Sequence, residues 1–213
     1  MSPAGPRRTK DKPIRLAGGA AEALTPLREQ QLLQAWRSGR ADALAELLRG
    51  YQGRIYGVCY RMLRNHDEAT DLAQDALVKV LEGIDSYNGR SQLSTWIIRV
   101  AMNCCLSHLR KQRLRRHASL DEARGAGDGS RTAEPSAALR VQHAEAREAL
   151  VQALSRIDAE MRAIIVLRDM QDLDYQQIGE ILGVPVGTVK SRLFRARLAL
   201  REEVESMLGG EGV

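Results

Sequence analysis

The sequence predicts an all-α protein: two small helical domains joined by a flexible linker. Three observations carry that expectation. Aromatic residues make up only 4% of the 213 residues and Phe194 is the sole Phe, so the core must come from Leu, Ile, Val and Ala, which suits packed helices. Apolar residues recur at helical spacing in both halves, as in Ile55, Val58, Cys59 and Met62, or Val189, Leu193, Ala196 and Leu200. Between the halves, from Ala118 to about Leu139, the composition turns to Ala, Gly, Ser, Asp and Glu, with Gly125, Gly127 and Gly129 alternating, as in a tether.

The elements follow in order. Residues 1–25 are Pro, Gly, Ala and basic residues without periodicity, which predicts a disordered arm. The first domain is expected over residues 26–117. Leu32, Leu33 and Trp36 mark its first helix, and Ser38-Gly39 ends it. Ala43, Leu44, Leu47 and Leu48 open a second helix, and the pattern stays helical from Tyr51 to Leu63. Asn65-His66-Asp67 breaks and recaps the chain. A helix from about Asp67 to Ile84 turns Ala69, Leu72, Ala73, Ala76, Leu77 and Val80 inward. Asp85 to Gln92 is a loop built on the turn signal Asn88-Gly89. A long helix runs from about Leu93 to Arg115. The linker occupies residues 118–140, the second domain 141–208, and a short tail 209–213.

The stretch from Tyr175 to Arg201, YQQIGEILGVPVGTVKSRLFRARLALR, predicts two helices and a tight turn. Asp174 is a good N-cap, and Gln177 stands three residues on, as a capping box requires. Ile178, Ile181 and Leu182 form one apolar stripe. Gly179 leaves room for a close crossing, Gly183 permits the left-handed turn, and Pro185 suits the first turn of the next helix. Val189, Leu193, Ala196 and Leu200 give that helix a buried face, while Lys190, Arg192, Arg195, Arg197 and Arg201 cover much of the rest. A short helix, a Gly turn and a basic helix describe a DNA-binding helix-turn-helix. Thr188, Lys190, Ser191, Arg192 and Arg195 are the residues placed towards DNA. Arg or Lys reads guanine edges, and Ser or Thr bonds bases or phosphates. The competing reading is an ordinary helical hairpin with a solvated basic face.

Charge is polarised in the first domain. Asp67, Glu68, Asp71, Asp75, Glu82 and Asp85 face one Lys79, whereas Ser86 to Leu120 contains no acid and carries Arg90, Arg99, Arg110, Lys111, Arg113, Arg115 and Arg116. Asp67, Asp71 and Asp75 recur every fourth residue and so share a helix face. That face repels DNA and suits a basic protein surface; the following helix suits nucleic acid. The plainer alternative is that the two helices pair with each other by charge. The net charge of +5 favours a polyanionic partner.

Other chemistries find little support. Cys59, Cys104 and Cys105 make no disulfide framework and are expected to be buried reduced thiols. Cys104 and His108 share a helix face, but further zinc ligands are lacking, so neither metal nor cofactor is expected. His66, His117 and His143 show no ligand spacing and are expected at the surface. No phosphate loop and no nucleophile constellation stands out, so no enzymatic activity is expected. No run approaches a membrane span, and no apolar signal core follows the basic start, so a cytoplasmic location is expected.

The residues also carry a resemblance. DEATDLAQDALVKVLEGIDSYNGRSQLSTWIIRVAMNCCLSHLRKQR (Asp67 to Arg113) resembles region 2 of bacterial sigma factors, and GEILGVPVGTVKSRLFRARLALR (Gly179 to Arg201) resembles their region 4. The set DLAQDAL, STWIIRVAMN and GVPVGTVKSRLFRAR, in this order and without a recognisable region 3, is similar to the sigma-70 family's extracytoplasmic-function (ECF) group. The resemblance implies a subunit that binds core RNA polymerase, directs it to promoter DNA and helps open it. It implies that Asp67, Asp71, Gln74 and Asp75 dock on the polymerase clamp. It implies that Trp96, Arg99, Asn103, Arg110 and Arg113, with Asn88, Gly89 and Arg90 in the preceding loop, hold the non-template strand of the minus-ten element. Thr188, Lys190, Ser191, Arg192 and Arg195 would read the minus-thirty-five element. An anti-sigma protein is implied as a further partner.

Some alternatives stay open on sequence alone. Trp96 is equally a buried anchor of the core, and Asn103 could satisfy a helix backbone group. The chain departs from the family where Ile157-Asp158 replaces the usual Leu-Pro, with Asp158 still able to cap, and where Leu77 replaces a common bulky aromatic. A different functional class, a stand-alone helix-turn-helix regulator whose first domain senses a ligand or dimerises, would predict palindromic operator binding.

Overall fold

The fold follows from where each helix is capped and which face it buries. The computed structural model describes residues 24–119, 150 and 152–209. The expected N-terminal arm up to residue 23, nearly all of the linker, the start of the second domain and the end of the tail lie outside the described residues, as do the side chains of His117 and His143.

Helix α1 is Pro26–Arg37, with Thr25 as N-cap accepting from the Arg28 N–H at 3.2 Å and Pro26 in the first turn. Helix α2, Ala41–Leu63, ends at Arg64 in the left-handed conformation, φ 56°. Asn65 then caps α3, His66–Gly83, by accepting from the N–H groups of Asp67 and Glu68. A single 3₁₀ turn, Ile84–Ser86, and a loop lead to α4, Leu93–Ser119, which runs past the expected Arg115. Leu32, Leu33, Leu47, Ile55, Met62, Ala69, Ala76, Val80, Ile97, Ile98 and Met102 interlock the four helices. One polar pair sits inside: Tyr51, 1% exposed, donates its hydroxyl to the carboxylate of Glu29, and burial together with that carboxylate pushes the phenol pKa up.

The second group begins with helical residues 152–156 and α5, Ala159–Ile165. Asp158 caps α5 by accepting from the Glu160 N–H at 2.8 Å, so the departure from Leu-Pro costs no cap. A π-helical turn, Val166–Met170, widens the backbone before α6, Tyr175–Leu182. The capping box of Asp174 and Gln177 forms in both directions, at 2.8 and 2.9 Å. Gly183 takes φ +67°, ending α6, and α7 follows as Val186–Gly209. Pro185 stands just before α7 rather than in its first turn: its carbonyl accepts from the N–H groups of Thr188 and Val189. A Cβ at Gly179 would meet the Val184 carbonyl oxygen at 2.8 Å, against backbone that cannot rotate away. Gly179→Ala is therefore expected to destabilise the fold by about 1–3 kcal/mol, measured by denaturant unfolding.

Arg197 departs from the basic residues of α7 with which the sequence groups it. It turns inward and donates to the buried Asp169 at 2.7 Å, fastening α7 to the π turn. The two helical groups also pack on each other. Arg162, 7% exposed, reaches from α5 to the Met62 carbonyl at the end of α2, and also donates to the carbonyls of Ser155 and Ile157. Gln177 donates to the buried Thr95 hydroxyl at 2.9 Å, and Arg54 to Gln171 at 3.2 Å.

Among the described residues no helix is long and apolar enough to cross a membrane, and no group of three or more His, Cys, Asp or Glu could hold a metal ion. Cys59, Cys104 and Cys105 are free and buried, with Cys59 and Cys105 Sγ 3.7 Å apart. The bond to Cys59 and burial push the Cys105 thiol pKa up, while burial raises that of Cys104 despite Lys79 nearby. Such thiols are poor nucleophiles.

Candidate nucleic-acid interface

Two faces of the first helical group separate by charge. On α3, Asp67, Asp71, Gln74 and Asp75 are all exposed, and Val78 (51% exposed) and Leu81 (48%) continue the surface along the same helix. The sequence did not mark those two apolar residues; they are visible only once the buried stripe is known. The polar links between α3 and α4 are Glu68 to His108 at 3.0 Å and Lys79 to Cys104 at 3.5 Å. No ion pair of the described residues joins Asp67, Asp71 or Asp75 to α4, so the acidic face is not used up by charge pairing within the fold.

The second face is a cleft. The loop before α4 is pinned to α1: the Trp36 indole N–H donates to Asp85 at 3.3 Å, and Arg37 donates to the Tyr87 carbonyl at 2.7 Å. The Asn88 side chain accepts from the Arg90 N–H at 3.2 Å, and Gly89 between them takes φ +77°. That turn brings Asn88 and Arg90 opposite Trp96 and Arg99 on the first turns of α4. Together with Ser86, Tyr87, Ser91 and Glu180 they line a cleft of about 470 Å³.

Trp96 sits between the core and the cleft. It packs on the core, over Gly83, where a Cβ would stand 3.3 Å from its ring, and it lines the cleft. Its ring is tilted 49° to that of Tyr87, with centroids 5.6 Å apart. The Tyr87 hydroxyl donates to the Ser91 carbonyl at 2.5 Å, which fixes that wall. Tyr87 and Ser91 were not singled out by sequence reasoning; the only signal was their position beside Asn88-Gly89. Arg99 donates to Glu180 at 3.4 Å, and its Nε is buried without a hydrogen-bond partner. Asn103, Arg110 and Arg113 are exposed farther along α4, so Asn103 is free to face a ligand. Arg113 lies about 20 Å from Arg99 along the axis, within reach of several phosphates of one strand.

On α7 the predicted residues gather at the N-terminal half. Lys190, Ser191 and Arg195 are exposed and Thr188 is half-buried. The Ser191 hydroxyl donates to the Thr188 carbonyl at 3.0 Å, and Lys190 lies 5.7 Å from the Tyr175 ring centroid. Arg192 is held by Glu160 at 2.8 Å, but Glu160 is 66% exposed, a pairing that water and salt weaken. Phe194, 73% exposed, and Leu198 add an apolar strip beside Arg195 that the sequence reading had not assigned.

Comparisons with known proteins decide the family. The Sigma-70 region 2 model matches residues 47–115, and the Sigma-70, region 4 model matches residues 147–200. The chain is 33% identical over 180 residues to the ECF RNA polymerase sigma factor SigW of Bacillus subtilis, covering 80% of this chain and 94% of that protein. The chain belongs to the sigma-70 family, in its ECF group. This sigma factor is also 30% identical over 187 residues to the ECF RNA polymerase sigma-E factor of Escherichia coli K12, covering 85% of this chain and 97% of that protein. Among solved structures, the sigma factor RpoE of Bartonella quintana, crystallised with the anti-sigma factor NepR, matches with a TM-score of 0.60 at 27% identity, over 76% of this chain and 96% of that one. The stand-alone regulator is not favoured, because the relatives match through both helical groups rather than through the helix-turn-helix alone. As a sigma factor the chain binds core RNA polymerase and promoter DNA and directs transcription initiation.

Proposed function

We propose a division of labour within this sigma factor in which each surface has one partner. The region 2 unit, residues 26–117, docks on core polymerase through Asp67, Asp71, Gln74 and Asp75 on α3. The cleft of Asn88, Gly89, Arg90, Trp96 and Arg99 takes an unstacked base of the non-template minus-ten strand, and Asn103, Arg110 and Arg113 hold the strand beyond it. The region 4 unit, residues 141–208, enters the major groove of the minus-thirty-five element with Thr188, Lys190, Ser191, Arg192 and Arg195. The linker, residues 118–140, lets the polymerase set the spacing between the two contacts, which raises the effective affinity of each contact for the promoter they share. The chain contributes no catalytic group and works in the cytoplasm. An anti-sigma protein restrains it, as one binds the Bartonella relative.

The observation that carries this reading is the convergence of Asn88, Arg90, Trp96 and Arg99 on one cleft. A base pulled from the stack needs an aromatic wall and edge hydrogen bonds, and its backbone needs cations. Arg90 and Arg99, both in the lining, supply the cations.

The test separates the two DNA contacts. In holoenzyme, Arg99→Ala is expected to weaken binding to fork-junction DNA with a single-stranded minus-ten segment, and to spare the upstream duplex. Arg192→Ala should do the reverse, by about 1–3 kcal/mol if it reads a base edge. Equal losses on both DNAs from either change would contradict the assignment.

A further inference from the structure

We infer that the free chain is held closed by its own region 4 helix α6, which caps the minus-ten cleft while leaving the upstream-reading face of α7 open. The inference rests on the cleft assignment proposed above. Glu180 of α6 stands in the lining of that cleft, together with Asn88 and Arg90 of the loop and Trp96 and Arg99 of α4. It places a carboxylate where the phosphates of a bound strand would run, and it occupies an Nη of Arg99. One turn earlier, Gln177 covers Thr95, which is 0% exposed at the start of α4. Arg162 and Arg54 supply the rest of the hold, by bonding Met62 and Gln171 across the two units.

The closure is lopsided. Lys190, Ser191 and Arg195 remain exposed, so the same arrangement that blocks the downstream strand leaves the upstream contact usable. It is also built to yield. The Arg99–Glu180 pair is 32% and 41% exposed, so it competes with water and with phosphate on even terms. A partner that binds the open form better, such as polymerase pulling the two units apart, shifts the population towards it. The order of events that follows is upstream contact first, downstream strand only after opening.

The test uses the full chain. Glu180→Arg sets like charge against Arg99, and Glu180→Gln removes the charge without adding one. Glu202→Arg, an exposed change of equal charge on α7 outside the cleft, is the control. Small-angle scattering reports opening. Fluorescence anisotropy reports binding to two DNAs taken from a promoter the holoenzyme transcribes: the single-stranded minus-ten segment and the upstream duplex.

The expected result is a larger radius of gyration for Glu180→Arg, with single-strand affinity raised about tenfold, because only the open fraction binds. Glu180→Gln should move both in the same direction by less, and duplex binding should match that of the Glu202→Arg control. An unchanged radius and unchanged single-strand affinity would overturn the latch. A larger radius with no single-strand binding in any variant would instead overturn the cleft assignment, and with it the capping role.

Discussion

Asp75→Arg is expected to cut the affinity for core RNA polymerase by at least about tenfold, since a like charge set into a complementary interface costs several kcal/mol. The reason lies in the spacing. Asp67, Asp71 and Asp75 stand four residues apart, so their carboxylates stack along one exposed line of α3, with Gln74 beside them. The fold does not consume that line: the bond from α3 to His108 comes from Glu68. Val78 and Leu81 extend the same helix surface with exposed apolar area, which gives a docking partner something to bury beside the charges. Asp75 is exposed, so its replacement should change folding stability by no more than about 0.5 kcal/mol. Anisotropy with labelled sigma factor and core polymerase measures the first effect, thermal melting the second. Upstream-duplex binding by the free protein should be unaltered. Unchanged polymerase affinity would remove α3 from the interface.

Trp96→Ala is expected to cause the largest loss in promoter opening. Stacking of a base on an aromatic side chain is worth about 1–3 kcal/mol by alanine substitution. The loss should appear in the amount of open complex, not in core polymerase binding. Because Trp96 also lies over Gly83 and against Tyr87, the same change will lower the melting temperature. Trp96→Phe separates the two roles: it keeps an aromatic face in the cleft while losing ring area from the packing. Opening that recovers with Phe while the melting temperature stays lowered supports stacking on a base. Opening that simply tracks the melting temperature across both variants would make Trp96 a core residue only.

Much of the architecture is local and therefore legible in the sequence. The capping box of Asp174 and Gln177, the left-handed Gly183 and the Asn65 cap depend on residues within a few positions of each other, and each forms as the pattern predicts. The gathering of Asn88 and Arg90 with Trp96 and Arg99 was also within reach, because a short turn and one helix start bring them together. What could not be read depends on distant partners. Arg197 looks like its basic neighbours until Asp169, supplied by the π turn, draws it inward. A π turn leaves no mark in apolar spacing, since one widened turn shifts the stripe only slightly. The bonds from Arg162 to Met62 and from Gln177 to Thr95 join residues on opposite sides of the linker, where periodicity within one helix says nothing. Pro185 marked a helix start correctly but one residue early, the usual precision of a boundary set by side chains rather than by hydrogen bonds.

The most direct test of the proposed division of labour is in vitro transcription over genomic fragments, with core polymerase in the presence or absence of this protein. Transcripts that begin at defined sites only when the protein is added, and that share an upstream and a downstream element at fixed spacing, are the predicted result. Start sites that share an upstream element alone, with no preferred sequence near the point of opening, would contradict a cleft that captures a base of the minus-ten strand.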